Sequence, residues 1–167
     1  MAEKNQFTLD LVVTTNCRIR MKKRGGIMLN IMITCGAGFS SSALVTQLNK
    51  DAQEKNLDVK FEYMPFDFGG LRSENGTIEG VEIVMLCPHL QHESKKLAAR
   101  YPDVPFYVIP TRLYGLMSAE DFMQDAEDAI AGWKETGMNP FCFEGEKTAI
   151  RVMRTVSHRK WMEQKNK

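Results

Sequence analysis

Residues 31–45 read Ile31-Met32-Ile33-Thr34-Cys35-Gly36-Ala37-Gly38-Phe39-Ser40-Ser41-Ser42-Ala43-Leu44-Val45. An apolar, strand-like segment ends at one thiol, that of Cys35. A loop of small residues follows it and leads directly into a helix. Backbone N–H groups in such a loop and at a helix N-terminus favour a bound anion. The stretch therefore predicts a nucleophilic sulfur beside an anion-binding turn.

The composition is that of an ordinary globular protein. Of the 167 residues, 43% are hydrophobic and 26% are charged, and the net charge of +1 favours neither nucleic acid nor a strongly acidic partner. No apolar stretch approaches the roughly 20 residues that span a bilayer, and the first residues lack a signal-peptide pattern. The four cysteines, at 17, 35, 87 and 142, show no metal-ligand spacing and read as free thiols of a reducing cytoplasm. We expect a cytoplasmic protein that uses no metal and no cofactor.

Strand and helix patterns alternate from Met28 onward, which predicts an α/β fold with a parallel sheet and helices on both faces. Ligands of such folds bind at the carboxyl ends of the strands. Cys35, Pro88 and the segment Pro110-Thr111-Arg112 each follow a strand, so we expect them at one edge of the sheet. The predicted strands are Leu29–Thr34, Val59–Tyr63, Val81–Cys87 and Pro105–Ile109, and the predicted helices are Ser41–Lys55, capped by the serines at 40–42, His89–Tyr101 and Ser118–Glu135.

The pattern divides the chain into an N-terminal extension (1–27), a core domain (28–135) and a basic, helix-compatible C-terminal extension (136–167). The run Lys22-Lys23-Arg24-Gly25-Gly26 can be encoded by a purine-rich tract that resembles a translated ribosome-binding site just before Met28. We hypothesise that native synthesis starts at Met28, with a genuine extension as the alternative. From Lys147 to Lys167 there are seven Lys/Arg and one acid. A helix over Thr148–Gln164 that packs on the domain with solvated charges is one interpretation, and docking on a membrane transporter or an anionic membrane surface is the other.

The spacing around Cys35 separates several loop chemistries. A nucleotide-binding P-loop needs a lysine that follows its second glycine, and here the next lysine is Lys50. A low-molecular-weight cysteine phosphatase or arsenate reductase needs an arginine six residues after the cysteine to clamp phosphate. That position is Ser41, and no arginine occurs between Arg24 and Arg72. A thiolate in an N–H cradle without arginine would hold a phosphoryl group without hydrolysing it efficiently. A phosphoryl carrier is therefore favoured, with a cysteine phosphatase or reductase and a non-catalytic regulatory module as alternatives.

In this interpretation the Cys35 thiolate is the nucleophile, and we expect its pKa to be lowered by the N–H groups and the helix N-terminus. His89 and His92 near the predicted edge, and Arg112 and Tyr114 after the fourth strand, are candidate contacts to phosphate or partner, together with Pro88. Cys87 is predicted to be a core residue. The expected phosphate-binding residues are Gly36, Ala37, Gly38, Phe39, Ser40, Ser41 and Ser42.

Three motifs carry a resemblance to a known family. The first motif, Thr34 to Leu44, has the strand, cysteine, small-residue loop and helix in order. The second is a strand followed by a Pro-Gln/His-type loop, in Ile83-Val84-Met85-Leu86-Cys87-Pro88-His89-Leu90. The third is Leu113-Tyr114-Gly115, which follows the fourth strand. Over residues 29–134 the chain resembles enzyme IIB of the lactose/cellobiose-type sugar phosphotransferase system.

This resemblance implies a four-stranded parallel sheet in the order 2-1-3-4, similar to the low-molecular-weight phosphatase and flavodoxin-like architecture. It implies a phosphocysteine at Cys35 that takes phosphate from a phosphohistidine of a IIA protein. The acceptor would be a sugar held by a membrane IIC protein, of the cellobiose, chitobiose or lactose type. The chain would then be peripherally associated with that transporter.

Overall fold

The fold is built on one parallel sheet. The computed structural model describes residues 28–36, 39–66, 78, 80–116 and 118–167. Four strands lie in the order β2-β1-β3-β4, and every neighbouring pair is parallel. The predicted α/β class and strand order are both confirmed. The strands are β1 (Leu29–Cys35), β2 (Val59–Pro65), β3 (Ile83–Leu86) and β4 (Phe106–Val108).

Helices cover both faces of the sheet because successive strand residues point to opposite sides. Ile31 and Ile33 of β1 belong to a buried cluster with residues of α1 and α4, whereas Met32 belongs to a second cluster with residues of α2. A buried parallel sheet of this kind explains the near-continuous apolar runs in the sequence. The helices are α1 (Phe39–Glu54), α2 (Ser94–Arg100), α3 (Thr111–Leu116), α4 (Ala119–Thr136) and α5 (His158–Lys165), with 3-10 helices at Pro88–Glu93 and Ala149–Arg151.

The two ends of α4 follow helix-capping rules. The Ser118 hydroxyl accepts a hydrogen bond from the Asp121 N–H at 3.5 Å, so the predicted start of this helix is confirmed. At the other end, Gly137 adopts a left-handed conformation with φ of 70°, which residues with a side chain rarely adopt. The helix therefore stops one residue after the predicted Glu135.

Two local predictions are wrong, and one short helix was missed. Helix α1 begins at Phe39, so Ser40, Ser41 and Ser42 lie inside its first turn rather than before it, where the sequence places a cap. The predicted helix His89–Tyr101 is a 3-10 helix followed by the short α2, because Pro88 starts the turn one residue after the strand-end Cys87. Helix α3 was not predicted, since six residues that contain a glycine show too little periodicity.

The C-terminal segment (residues 137–167) is not one helix. The predicted helix over Thr148–Gln164 is replaced by the 3-10 turn at Ala149–Arg151, an irregular stretch and α5. Of the apolar stripe expected there, Ile150 and Met153 are 74% and 61% exposed, whereas Val152 is buried. The apolar residues of this segment therefore do not lie on one helical face, and some of them are buried while others are exposed.

The expectation that its charges are solvated is also wrong. The Arg154 side chain is fully buried, with its guanidinium 2.7 Å from Asp125 of α4 and 2.7 Å from Glu146. Arg159 lies 2.6 Å from Asp128, and Lys160 lies 3.1 Å from Asp121. A basic tail can pack closely here because α4 supplies the opposite charges.

Two further points concern domain organisation. The proposed N-terminal extension, residues 1–27, lies outside the described residues, and the boundaries at 28–135 and 136–167 stay predictions. Within the part of the chain that the structure describes, no helix combines the length and the apolar character needed to cross a membrane.

Candidate functional site

Cys35 is the last residue of β1, at the carboxyl end of the sheet. Its side chain is 1% exposed and belongs to the core cluster on the α1 and α4 face. Two backbone hydrogen bonds fix the strand end: the Cys35 carbonyl accepts from the Phe66 N–H at 2.9 Å, and the Thr34 carbonyl accepts from the Cys87 N–H at 3.0 Å. The backbone at the end of β1 is therefore hydrogen-bonded to the residue that follows β2 on one side and to the residue that follows β3 on the other.

The residue after the thiol contacts a predicted site histidine. The Gly36 N–H donates a hydrogen bond to Nε2 of His89 at 3.2 Å. Nε2 of the imidazole is therefore the acceptor in this contact. His89 lies on the exposed side of the 3-10 helix Pro88–Glu93. The structure thus brings one predicted contact residue directly to the loop that follows Cys35.

Helix α1 begins four residues after Cys35, at Phe39. The first turn of an α-helix has N–H groups without intrahelical acceptors, and the helix dipole is positive there. The predicted phosphate-binding residues from Phe39 to Ser42 all lie in this turn. Their backbone N–H groups therefore belong to the part of the helix that favours a bound anion. The predicted contacts at Ala37 and Gly38 lie outside the described residues.

Cys87 has a partner that the sequence did not suggest. It is fully buried, as expected of a core residue, but its thiol is in hydrogen-bond contact with Cys35 and with Tyr114 of α3. Burial, and to a smaller extent the neighbouring Cys35, raises the pKa of Cys87 to about 12, although the hydrogen bond with Tyr114 acts in the opposite direction. Cys87 is therefore a protonated thiol at neutral pH. The sequence did contain a signal for the contact between the two cysteines: each lies at the end of an apolar, strand-like run, and in the structure Cys35 ends β1 and Cys87 directly follows β3.

The remaining predicted site residues are partly buried or exposed. Pro88 starts the 3-10 helix and is partly buried, and Arg112 is exposed on α3. His92 is exposed, with Nε2 3.6 Å from the carboxylate of Glu93. These three residues follow β3 or β4 at the carboxyl edge of the sheet, the edge at which Cys35 ends β1.

A separate groove of about 790 Å³ lies between the β4 side of the sheet and the C-terminal segment. Its lining includes Lys95, Pro110, Phe141 and Lys147, and does not include Cys35. The thiol of Cys35 lies instead at a buried strand end, close in sequence to the start of α1.

Comparison with known proteins identifies the family. The family model described as "PTS system, Lactose/Cellobiose specific IIB subunit" matches residues 30–125, which is more than half of the chain. The chain belongs to this family. The IIB match contains β1 to β4, the loop after Cys35 and all three motifs on which the resemblance was based.

Two solved IIB structures are similar to this chain. One is the solution structure of a cellobiose-specific phosphotransferase IIB component from Borrelia burgdorferi, at 30% identity and a TM-score of 0.47; the match covers 62% of this chain and 93% of that one. The other is the lactose-specific IIB component domain from Streptococcus pneumoniae, at 15% identity and a TM-score of 0.41, covering 66% of this chain and 98% of that one.

Membership in the IIB family confirms the expected resemblance and a role in a sugar phosphotransferase system. IIB proteins of this family take part in phosphoryl transfer and sugar transport, and work with IIA and IIC components. The C-terminal segment lies beyond the matched residues.

Proposed function

We propose that this IIB protein carries a phosphoryl group as S-phosphocysteine on Cys35. The donor is a phosphohistidine of a IIA protein, and the acceptor is a sugar bound by a membrane IIC protein. The observation that supports this most directly is the position of the thiol at the end of β1, one short loop before the N-terminus of α1. Such a position places backbone N–H groups near an anion that is bound to the sulfur.

The transfer has two steps. In the first, the Cys35 thiolate attacks the phosphorus of the phosphohistidine; the S–P bond forms as the P–N bond breaks, and the imidazole nitrogen keeps the electron pair. In the second, a sugar hydroxyl oxygen attacks phosphorus, the S–P bond breaks and the thiolate is released. The hydroxyl proton is passed to a base on the sugar-binding side. Both steps depend on positioning and charge stabilisation rather than on covalent help from other side chains.

The residues around Cys35 suit a carrier better than a hydrolase. A cysteine phosphatase relies on an arginine that binds two phosphate oxygens at once. The sequence has no arginine between Arg24 and Arg72. The phosphoryl oxygens would instead be held by the N–H groups of Gly36 to Gly38 and of the first turn of α1, with serine hydroxyls nearby. A phosphoryl oxygen would compete with Nε2 of His89 for the Gly36 N–H.

The partners follow from the family. Because Cys35 is buried, the IIA phosphohistidine must enter at the carboxyl edge of the sheet, where His89 and Arg112 are exposed. The same edge would then face IIC, with the protein peripherally bound at the membrane. The proposed sugar is a disaccharide of the cellobiose, chitobiose or lactose type.

The experiment is a reconstituted phosphorylation. The full chain is incubated with phosphoenolpyruvate, the general transferases and candidate IIA proteins, and the modified peptide is mapped by mass spectrometry. We expect one phosphoryl adduct on the Cys35 peptide, absent in Cys35→Ser and unchanged in Cys142→Ala, a cysteine elsewhere in the fold. An adduct on another residue, or none with any IIA, contradicts the proposal. Release of free phosphate from an aryl phosphate, lost in Cys35→Ser, would favour a phosphatase instead.

A further inference from the structure

Two thiols lie side by side at the carboxyl edge of the sheet. The register of β1 and β3 pairs Ile33 with Met85 and Thr34 with Leu86, so its continuation places Cys87, the residue that follows β3, opposite Cys35. Neighbouring strands are about 4.8 Å apart, and residues two apart on a strand share a face. Both thiols therefore point to the side covered by α1 and α4, where both are buried. This register explains their hydrogen-bond contact.

The hydrogen bonds at Cys87 have a direction. Because its pKa is about 12, Cys87 keeps its proton when Cys35 is a thiolate, and an S–H group beside a thiolate is a donor to it. The Tyr114 hydroxyl lowers the pKa of Cys87, which is the effect of a group that donates to the Cys87 sulfur. Donation from Tyr114 to Cys87 and from Cys87 to Cys35 is the order that agrees with both effects.

We propose that the Cys87 thiol donates a hydrogen bond to the Cys35 sulfur and stabilises its thiolate form, and that Tyr114 is a positioning residue that acts through Cys87. This inference rests on the proposed function in that Cys35 is the reacting sulfur. The donor helps in both half-reactions: it favours the attacking thiolate, and it stabilises the same thiolate when the S–P bond breaks. Charge-assisted hydrogen bonds are stronger than neutral ones, so the bond tightens when negative charge develops on sulfur.

The test measures the reactivity of Cys35 without any phosphoryl donor. The full chain is alkylated with iodoacetamide across a pH series, and the modification of the Cys35 peptide is followed by mass spectrometry. In Cys87→Ala, which removes the donor, we expect the half-reaction pH to rise by about one pH unit, a tenfold loss of thiolate at a given pH below it. Cys87→Ser keeps a donor and should stay near the wild-type midpoint. Tyr114→Phe should shift the midpoint in the same direction as Cys87→Ala, but by less.

Controls separate this role from simple packing. Cys142→Ala should leave the Cys35 profile unchanged, and each variant is checked by its thermal unfolding. If Cys87→Ala does not fold, Cys87→Ser and Tyr114→Phe decide: a wild-type midpoint for the serine variant with a raised midpoint for Tyr114→Phe supports the proposal. Equal midpoints for wild type and Cys87→Ala, equal shifts in Cys87→Ala and Cys87→Ser, or no shift in Tyr114→Phe overturn it. These outcomes do not depend on phosphoryl transfer, so failure of the carrier function is a separate result.

Discussion

The replacement Arg154→Met tests how strongly the C-terminal segment is joined to the IIB domain. The guanidinium of Arg154 is fully buried and contacts four groups: it pairs with the carboxylates of Asp125 and Glu146, and it donates hydrogen bonds to the Tyr107 hydroxyl at 2.6 Å and the Val156 carbonyl at 2.8 Å. Methionine fills a similar volume but offers no donor. The variant therefore leaves two carboxylates without their cation.

The expected loss is about 3–5 kcal/mol of unfolding free energy, the typical cost of removing one partner of a buried ion pair. Asp125 decides the size of the effect because its side chain, like that of Arg154, is fully buried. Burial already raises the pKa of Asp125, and the charge of Arg154 acts against that rise. Without the arginine the pKa of Asp125 rises further in the folded state. A raised folded-state pKa reduces stability as pH increases above the unfolded value, so the loss should be larger at pH 8 than at pH 5.

Urea unfolding of wild type and variant at both pH values measures this loss. Arg159→Met is the matched control, since Arg159 also pairs with acids of α4, at 2.6 Å from Asp128, but is 40% exposed. An exposed pair of this kind should contribute less than about 1 kcal/mol. The reasoning is refuted if Arg154→Met loses less than about 1 kcal/mol, if it loses no more than Arg159→Met, or if its loss does not grow with pH.

Two further predictions concern α4. Although burial acts in the opposite direction, the Ser157 N–H and other donors lower the pKa of Asp121. The ionised Asp121 therefore contributes its full stabilisation of the folded state above about pH 4, and this stabilisation is lost as pH falls through the lower folded-state pKa. Asp121→Asn should be less stable than wild type at neutral pH and approach it in acid, as measured by unfolding across pH. In Gly132→Ala the new Cβ would lie 2.3 Å from the Phe141 ring, so we expect the free energy of unfolding, measured by heat or urea, to fall by about 1–3 kcal/mol. In the control Gly115→Ala the new Cβ meets nothing within 4 Å, and this variant should be as stable as wild type or more stable. Equal effects of the two substitutions would contradict the packing at Phe141.

The sequence predicts the sheet well because its signals are local. Each strand is a short apolar run, and the small-residue loop after Cys35 marks the functional edge directly. The contact between Cys35 and Cys87 could not be predicted in the same way, because it depends on the register of two strands that are some 50 residues apart. Periodicity alone assigns a cysteine at the end of an apolar strand to the core. Only the pairing of the strands shows that its neighbour is Cys35.

The buried charges of the C-terminal segment were missed for a related reason. A basic run reads as a solvated face when its partners are unknown. A signal was nevertheless present in α4: Phe122, Ala126 and Ala129 mark the buried face of the helix, and Asp125 lies on that face, three residues after Phe122. A carboxylate on an apolar helix face requires a cation. The chain supplies it from Arg154, and this pair explains why the segment after α4 folds back onto the domain.

The C-terminal segment also supports the elements that carry the site. The side chain of Gln91 accepts from the Ala149 N–H at 3.1 Å and donates to the Lys147 carbonyl at 2.9 Å, which joins the segment to the 3-10 helix that presents His89. The 3-10 turn at Ala149–Arg151 also contacts α3, the helix that carries Tyr114. The IIB match ends at residue 125, so this support lies outside the matched region. The segment therefore packs against both elements that bring side chains to Cys35 and its loop, and it can hold them without contributing a residue to the reaction itself.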